Sequence, residues 1–260
     1  MRIALATVAV LFAAASPVAA QDDPPVIRRS VKPKVVLEAE AWLDRMSQHI
    51  GRPVEIDQTM RGAYAGQSME GVGEFVYADP NHFYAYQTLS SLFEGQTDPR
   101  KQSMTMVGDG ETLWLEGRDS FLKIPLVNHT TIANMRRLAS LGDFGFGGGE
   151  IHPFAQVRDI ANMVEFTKVE VADGKVTIHG KLREDAKYKL GERFMGFEFK
   201  RLIVMLNEKT VVPISVRVEG DESLFIHYRY TNVRMPERSE LDMNRFVYMV
   251  PEDARVNEIK

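Results

Sequence analysis

Hydrophobic side chains recur at helical intervals in three stretches of the chain. In residues 30–51 an apolar stripe predicts an amphipathic helix that packs against a sheet and ends at Gly51 and Pro53. Weaker patterns of the same period predict helices at 130–141 and 153–163. The stripe of the first helix consists of Val35, Val36, Ala39, Trp42, Leu43, Met46 and Ile50.

Elsewhere the apolar and polar residues alternate with a period of two, which is typical of β-strands. Turn-forming pairs such as Asp173-Gly174 separate the alternating segments. Because the turns are short, the strands are predicted to form an antiparallel meander rather than β-α-β units. The predicted strands are 54–65, 69–77, 82–89, 103–107, 112–115, 121–124, 164–171, 175–182, 193–207, 211–219, 223–233 and 245–250.

The apolar faces of these strands are rich in methionine and phenylalanine, of which the chain carries 13 and 14. Branched side chains specify a rigid core, whereas methionine is flexible and adapts to irregular partners. Two interpretations follow. The side chains either fill the core between the sheet and the helices, or line a pocket for an acyl chain of variable shape.

The N-terminal segment has the pattern of a secretory signal peptide. Arg2 precedes an apolar run, and small residues end the segment at Ala20. We therefore expect residues 1–20 to be a cleaved signal peptide, 21–34 an extended lead-in, and 35–260 a single domain. The expected location is the periplasm.

Charge and cysteine content narrow the function. The formal net charge of −4 gives no reason to expect a basic nucleic-acid surface. The chain has no cysteine, so it offers neither a disulfide, nor a thiol nucleophile, nor a lipid attachment site after the signal peptide.

No pattern for catalysis or metal binding is present. The six histidines lack the spacing of metal ligands, and there is no GxSxG nucleophile motif. The glycine-rich residues 142–149 lack the Lys-Ser/Thr of a phosphate loop and fit either a mobile flap or an ordinary flexible loop better. We therefore predict no enzyme activity, no cofactor and no metal.

Three ordered segments resemble motifs of the LolA-like periplasmic lipoprotein carriers. They are GVGEFVYADPNHFYAY (71–86), MVGDGETLWLEG (106–117) and RFVYMVPEDARV (245–256). With the first helix, the likeness spans roughly 35–260, and it extends to a related group of predicted periplasmic proteins without an assigned role. The resemblance implies a strongly curved, unclosed antiparallel sheet whose concave face is covered by helices.

The resemblance also implies a function, namely a monomeric carrier that shields lipid or lipoprotein acyl chains in an apolar cavity. Transient membrane-protein partners would load and unload it. The alternative is a periplasmic sensor or scaffold of the same fold that binds a protein segment. The expected cavity lining is Phe75, Tyr77, Phe83, Met104, Met106, Trp114, Phe197, Phe199 and Met205. The expected lid residues are Ile132, Met135, Leu138, Phe144 and Phe146.

One position departs from the family pattern. The carriers have an arginine before the Pro-Asn of the turn, where it holds the lid closed through backbone contacts, and here that position is Asp79. A carboxylate accepts hydrogen bonds but cannot donate them. The latch of the family is therefore not expected in this chain, and a free lipid, a glycolipid or a protein partner is about as well supported as a lipoprotein.

Overall fold

The computed structural model describes residues 33–64, 66–119, 124–140, 151–186, 199–221 and 224–259. The helices are α1 (Lys34–Ser47), α2 (Ile132–Ser140) and α3 (Pro153–Ala161). The strands are β1 (Val54–Tyr64), β2 (Gln67–Asp79), β3 (His82–Phe93), β4 (Arg100–Asp109), β5 (Thr112–Asp119), β6 (Leu126–Thr131), β7 (Val164–Ala172), β8 (Lys175–Leu182), β9 (Arg201–Asn207), β10 (Pro213–Glu219), β11 (Phe225–Arg234) and β12 (Arg255–Glu258).

All of these strands belong to one sheet, in the order β12-β6-β5-β4-β3-β2-β1-β11-β10-β9-β8-β7. Neighbouring strands run antiparallel except for β12, which pairs with β6 in parallel. Over the described ranges β12 and β7 stand at opposite ends of the order, so the sheet is not closed. The predicted fold, an unclosed antiparallel sheet with helices on one face, is confirmed.

The sheet curves around the helices. Helix α1 contacts β7 and α3, whereas α2 contacts β5 and β6 near the other end of the strand order. Nevertheless Leu113 of β5, Ile132 of α2 and Val176 of β8 belong to one continuous buried cluster. Because strands far apart in the sheet share this core, the face that carries it is concave.

Two local features bend the strands. Between β1 and β11 the register shifts, and Asn232 in the shifted stretch has a positive φ of 51° and donates to Asp57. Such bulges increase local twist. On β2, a side chain at Gly71 would place its Cβ 2.7 Å from the Thr88 carbonyl oxygen, so only glycine permits this close approach of β3.

The opposite face is covered in part by the C-terminal segment. Leu241 and Phe246 form a second buried cluster with Val76 and Ala78 of β2. Further along, the Tyr248 ring stacks on Trp114 at 5.3 Å between centroids, and its hydroxyl donates to Glu116 at 2.7 Å. The segment therefore crosses several strands before it enters β12.

Some predicted elements need correction. Residues 245–250 were expected to be a strand, but a 3-10 helix spans Met243–Phe246 and β12 comes later. The predicted second helix begins at Ile132 because residues 130 and 131 pair with β5. Of the predicted strand at 121–124, residue 124 lies outside any strand, and residues 120–123 are not among those described. The part of 193–207 before 199 is likewise not described.

Candidate functional site

The strand register gives the sheet two faces of different chemistry. We call the face toward the helices the inner face; on β3 it carries Phe83 and Leu89. The outer face carries Tyr86 and Thr88 of the same strand. Alternation along β1 to β5 therefore builds two surfaces from one set of strands.

The first part of the inner face is tightly packed. Phe75, Tyr77, Phe83, Met106 and Phe199, all expected to line a cavity, are buried members of the continuous core. A Cβ added at Gly108 would overlap the Phe83 ring. In this structure these side chains therefore contact other protein groups. We call this region the packed part.

Further along the strands the inner face is half-buried. Met104 is 43% exposed. Leu89, Leu115, Tyr228 and Tyr230 pack against the core but keep accessible surface. Burial raises the pKa of Tyr228 to about 12 and raises that of Tyr230 as well, so both phenols are neutral hydrogen-bond donors at pH 7. We call this region the half-buried part.

Polar and glycine positions distinguish the half-buried part. The register aligns Tyr230, Gln58, Gly73, Gln87, Met104 and Gly117 in one row across the strands. The Gln87 amide donates weakly to the Met60 sulfur at 3.8 Å, and Gln58 makes no side-chain hydrogen bond to a described residue. A Cβ at Gly117 would meet nothing closer than the Leu126 carbonyl oxygen at 4.0 Å. The row thus combines two amides that make at most a weak hydrogen bond with space for another group.

Two of the expected lining residues lie on the outer face. Trp114 pairs with His129 and donates its indole N–H to Asp109 at 2.8 Å, beneath the C-terminal segment. Met205 pairs with Ser215 and Thr177, while Leu202, Val204 and Leu206 of the same strand are buried in the core. The register does not bring these two side chains together with the inner-face residues.

The expected lid is described in part. Ile132 and Met135 of α2 are buried in the same core as Phe83. The side chain of Leu138 and the whole of Phe144, Phe146 and Phe197 lie outside the described residues.

An arginine does contact the β2–β3 turn, although Asp79 replaces the one that the family pattern would place there. Arg136 of α2 donates to the Pro80 carbonyl oxygen at 3.1 Å and to the Asn81 side-chain oxygen at 2.7 Å. Asp79 accepts from the Asn81 and His82 backbone N–H groups and pairs with Arg238 at 2.7 Å. Burial opposes ionisation of Asp79, but the hydrogen bond from the His82 ring, the Asn81 backbone N–H and the nearby positive charges lower its pKa. The Arg136 side chain thus connects α2 to the β2–β3 turn.

A buried histidine connects α3 to the sheet. His152 caps α3, with Nδ1 accepting from the Phe154 N–H at 3.2 Å and Nε2 lying 3.2 Å from the Arg52 carbonyl oxygen. Its ring packs edge-on against Tyr77 at 4.7 Å. Burial lowers the pKa of His152 to about 4, so the neutral ring donates from Nε2 and both nitrogens are used structurally. His152 therefore links α3 to the sheet and has no free ring nitrogen.

Sequence reasoning did not identify Gln58, Gln87, Gly117 and the two tyrosines Tyr228 and Tyr230 as candidate site residues. The sequence did contain a signal for them, namely polar side chains or glycines at inward positions of otherwise apolar strands.

Among the described residues no group of three His, Cys, Asp or Glu side chains is placed to hold a metal ion. Within the same ranges no helix has the length and apolar content needed to cross a bilayer.

The sequence matches no family model and no curated protein. Solved structures similar to it include LprF from Mycobacterium bovis, with 8% identity, 77% of this chain and 96% of that chain covered, and a TM-score of 0.44. The lipoprotein LppX from Mycobacterium tuberculosis shows 11% identity, coverages of 79% and 98%, and a TM-score of 0.43. A LolA superfamily protein from Nitrosomonas europaea shows 10% identity, coverages of 81% and 97%, and a TM-score of 0.30. At these identities and TM-scores, none of these similarities assigns a function to this chain.

Proposed function

We propose that this protein is a periplasmic binding protein that shields an acyl chain on the inner face of its sheet and performs no catalysis. The observation that carries the proposal is the half-buried part, where Leu89, Met104 and Leu115 keep apolar surface accessible beside the open position at Gly117. Burying each methylene of a ligand there contributes about 0.8 kcal/mol before ordering costs. The signal-like N-terminal segment supports the periplasmic location.

The polar groups of the half-buried part indicate which chemical group the ligand carries at one end of its acyl chain. Gln58 and Gln87 stand on either side of Gly73, two interstrand spacings or about 10 Å apart. Their amides, with the neutral hydroxyls of Tyr228 and Tyr230, suit an ester, amide or hydroxyl group rather than a charged one. The ligand we infer is an acyl chain with an uncharged polar linkage.

The packed part would serve as the far end of the site. Phe75, Tyr77, Phe83, Met106 and Phe199 would contact the chain only if the helical cover moves. Ile132 and Met135 place α2 over these residues, and Arg136 supplies the contact that a moving cover would release. Helix α2 would thus act as the lid of the site.

A steric substitution tests the proposal. Gly117→Leu should fold, since its Cβ has room, and should fill the space that the acyl chain needs. We expect titration with a fluorescent monoacylglycerol to show binding weakened by about tenfold or more, because a side chain now occupies that space. Met104→Asp should act in the same direction by adding a charge to the apolar face.

The matched control is Val72→Asp, which places the same charge at a position 58% exposed on the outer face. It should bind the probe as the wild type does. Equal binding by Gly117→Leu and the wild type would contradict the proposal. A wild-type protein that binds no acyl probe at all would favour the sensor or scaffold alternative.

A further inference from the structure

A groove of about 940 Å³ crosses the outer face of the sheet, on the side away from the helices. Its lining includes two neighbouring rows of side chains that the register aligns across six strands. The first row is Arg229, Thr59, Val72, Thr88, Ser103 and Arg118. The second row is His227, Arg61, Glu70, Ser90 and Lys101. The volume falls within the range of small-molecule sites, about 300–1,000 Å³.

The cations of the groove are concentrated at its two ends. Arg229 on β11 and Arg61 on β1 stand at one end, and Lys101 on β4 and Arg118 on β5 at the other. The outermost strands are five positions apart in the sheet, or about 24 Å at the usual interstrand spacing. A ligand that satisfies both ends must therefore be elongated.

The two carboxylates of the lining do not cancel these charges. Asp119 accepts from Arg100 and Gln102, which are inner-face residues. Glu70 pairs with Arg61 at 3.3 Å, and both side chains are more than two-thirds exposed. Such exposed pairs contribute little and exchange partners readily. Arg118 pairs with Glu116, which lies outside the lining. Lys101 and Arg229 have no ion pair with a described residue, so these two charges are available to a ligand.

The pKa of His227, the histidine of the second row, responds to the same positive charges. Burial, followed by the positive charges of three nearby arginine side chains, lowers the pKa of His227. The net charge of the whole chain is −4, so the positive groove is a local feature of an acidic protein.

The middle of the groove is rich in hydroxyl groups, and its one carboxylate among the described residues, Glu70, pairs with Arg61. Thr59, Thr88, Ser90 and Ser103 lie between the two pairs of cations. The Thr88 hydroxyl donates to the Val72 carbonyl oxygen at 3.3 Å, and hydroxyl groups of this kind are able to donate to the oxygens of an anionic ligand. The strands beneath them are paired on both sides, so no strand edge is free to hold a peptide main chain.

We propose that this groove is a second binding site, distinct from the acyl site, and that it takes an elongated soluble ligand carrying several phosphate groups. Guanidinium and ammonium groups at both ends neutralise the terminal phosphates, and the hydroxyl-lined middle contacts the linkage between them. The charges lie at opposite ends of the groove, which fits an elongated molecule in solution better than a flat bilayer surface.

Isothermal titration with linear polyphosphate of about ten units tests this site directly. A chain that reaches both ends should bind at least about tenfold more tightly than pyrophosphate, because the second contact becomes intramolecular. Binding should weaken with added salt, since the contacting side chains are solvent-exposed. Neither measurement involves an acyl ligand, so failure here leaves the proposed function untouched.

Charge reversal locates the site. Arg229→Glu and Lys101→Glu should each weaken polyphosphate binding by about tenfold. Both side chains are exposed, so the variants are expected to fold. If the charge reversal lowers solubility, Arg229→Gln replaces it, and its loss of polyphosphate affinity should be about half as large on a logarithmic scale. The matched control is Lys181→Glu, an exposed outer-face position on β8 outside the groove, where the loss should stay below about twofold.

Four results would overturn the proposal. They are equal affinity for pyrophosphate and long polyphosphate, equal losses in Lys181→Glu and Arg229→Glu, tighter binding of polyglutamate than of polyphosphate, and binding only to phosphatidylglycerol vesicles. The last two would assign the groove to an acidic protein segment or to a membrane surface.

Discussion

The inner and outer faces of β1 to β5 are made by alternate residues of the same strands, yet they differ in almost every physical respect. Phe83 is fully buried against α-helical and sheet side chains, whereas Thr88 lines an open groove. The inner face buries apolar surface and the outer face presents arginine, lysine and hydroxyl groups. One sheet can thus carry two binding surfaces, because a strand separates its neighbours in sequence onto opposite sides.

The largest expected difference between the faces is in stability. Phe83→Ala should lower the free energy of unfolding by about 3–5 kcal/mol, since the ring lies against Gly108 in a closed core. Tyr86→Ala, on the outer face of the same strand, should cost less than half of that. Urea denaturation of both variants measures the difference, and equal losses would mean that the packed part is not the core of the fold.

The buried histidine next to this core should make stability depend on pH. His152 has a pKa of about 4 in the folded protein and an ordinary value near 6.5 when unfolded, so only the unfolded chain takes up its proton between these values. Its contribution is fully present above pH 6.5 and is lost as the pH falls toward 4, by roughly 3 kcal/mol in total. Between pH 6.5 and 4 the free energy of unfolding should fall in the wild type but not, for this reason, in His152→Asn.

Asn retains a side-chain acceptor for the α3 cap but does not titrate, which makes it a suitable control. The difference in unfolding free energy between the two proteins should be largest at pH 7 and shrink toward pH 4. A difference independent of pH would contradict the assignment of a neutral buried ring.

A smaller effect is expected at the contact between α2 and the β2–β3 turn. Arg136→Ala removes two hydrogen bonds of an exposed side chain, so stability should fall by about 1 kcal/mol or less. Backbone amides of α2 should nevertheless exchange with solvent faster, because the helix loses its tie to the turn. Hydrogen-exchange mass spectrometry measures the exchange rates of the α2 amides. The control is Arg158→Ala, which removes an ion pair from α3. Unchanged exchange in α2 would show that the arginine holds nothing in place.

The smallest effect is expected on the open outer face. Val72→Asp should change the free energy of unfolding by less than about 0.5 kcal/mol, because the side chain is exposed and its removal leaves no cavity. Thermal denaturation checks this. A large loss would mean that another part of the chain covers this position.

The sequence predicted the architecture well where alternation was clear and poorly where it was not. On β2 the polar residues Glu70 and Glu74 assign the opposite residues Phe75 and Tyr77 to the core, and the structure agrees. On β9 the run from Leu202 to Leu206 is apolar at every position, so its period could not reveal that Met205 faces outward. The same ambiguity affects Trp114 between two leucines.

Other elements depend on partners far away in the chain. Strand β12 contains few apolar residues and pairs in parallel with β6, more than a hundred residues away in the chain. No local pattern encodes such a contact. The half-buried part could not be predicted from the sequence either. Gln58 and Gln87 are recognised as neighbours only once the strand register aligns both of them with Gly73.

The most direct test of the acyl site is a photocrosslinking experiment with a monoacylglycerol that carries a diazirine on its chain. After irradiation, peptide mass spectrometry should find the label on inner-face residues of β3, β4 and β5, chiefly Leu89, Met104 and Leu115. Label confined to outer-face positions such as Val72 or Val247, or labelling unchanged in Gly117→Leu, would contradict the account.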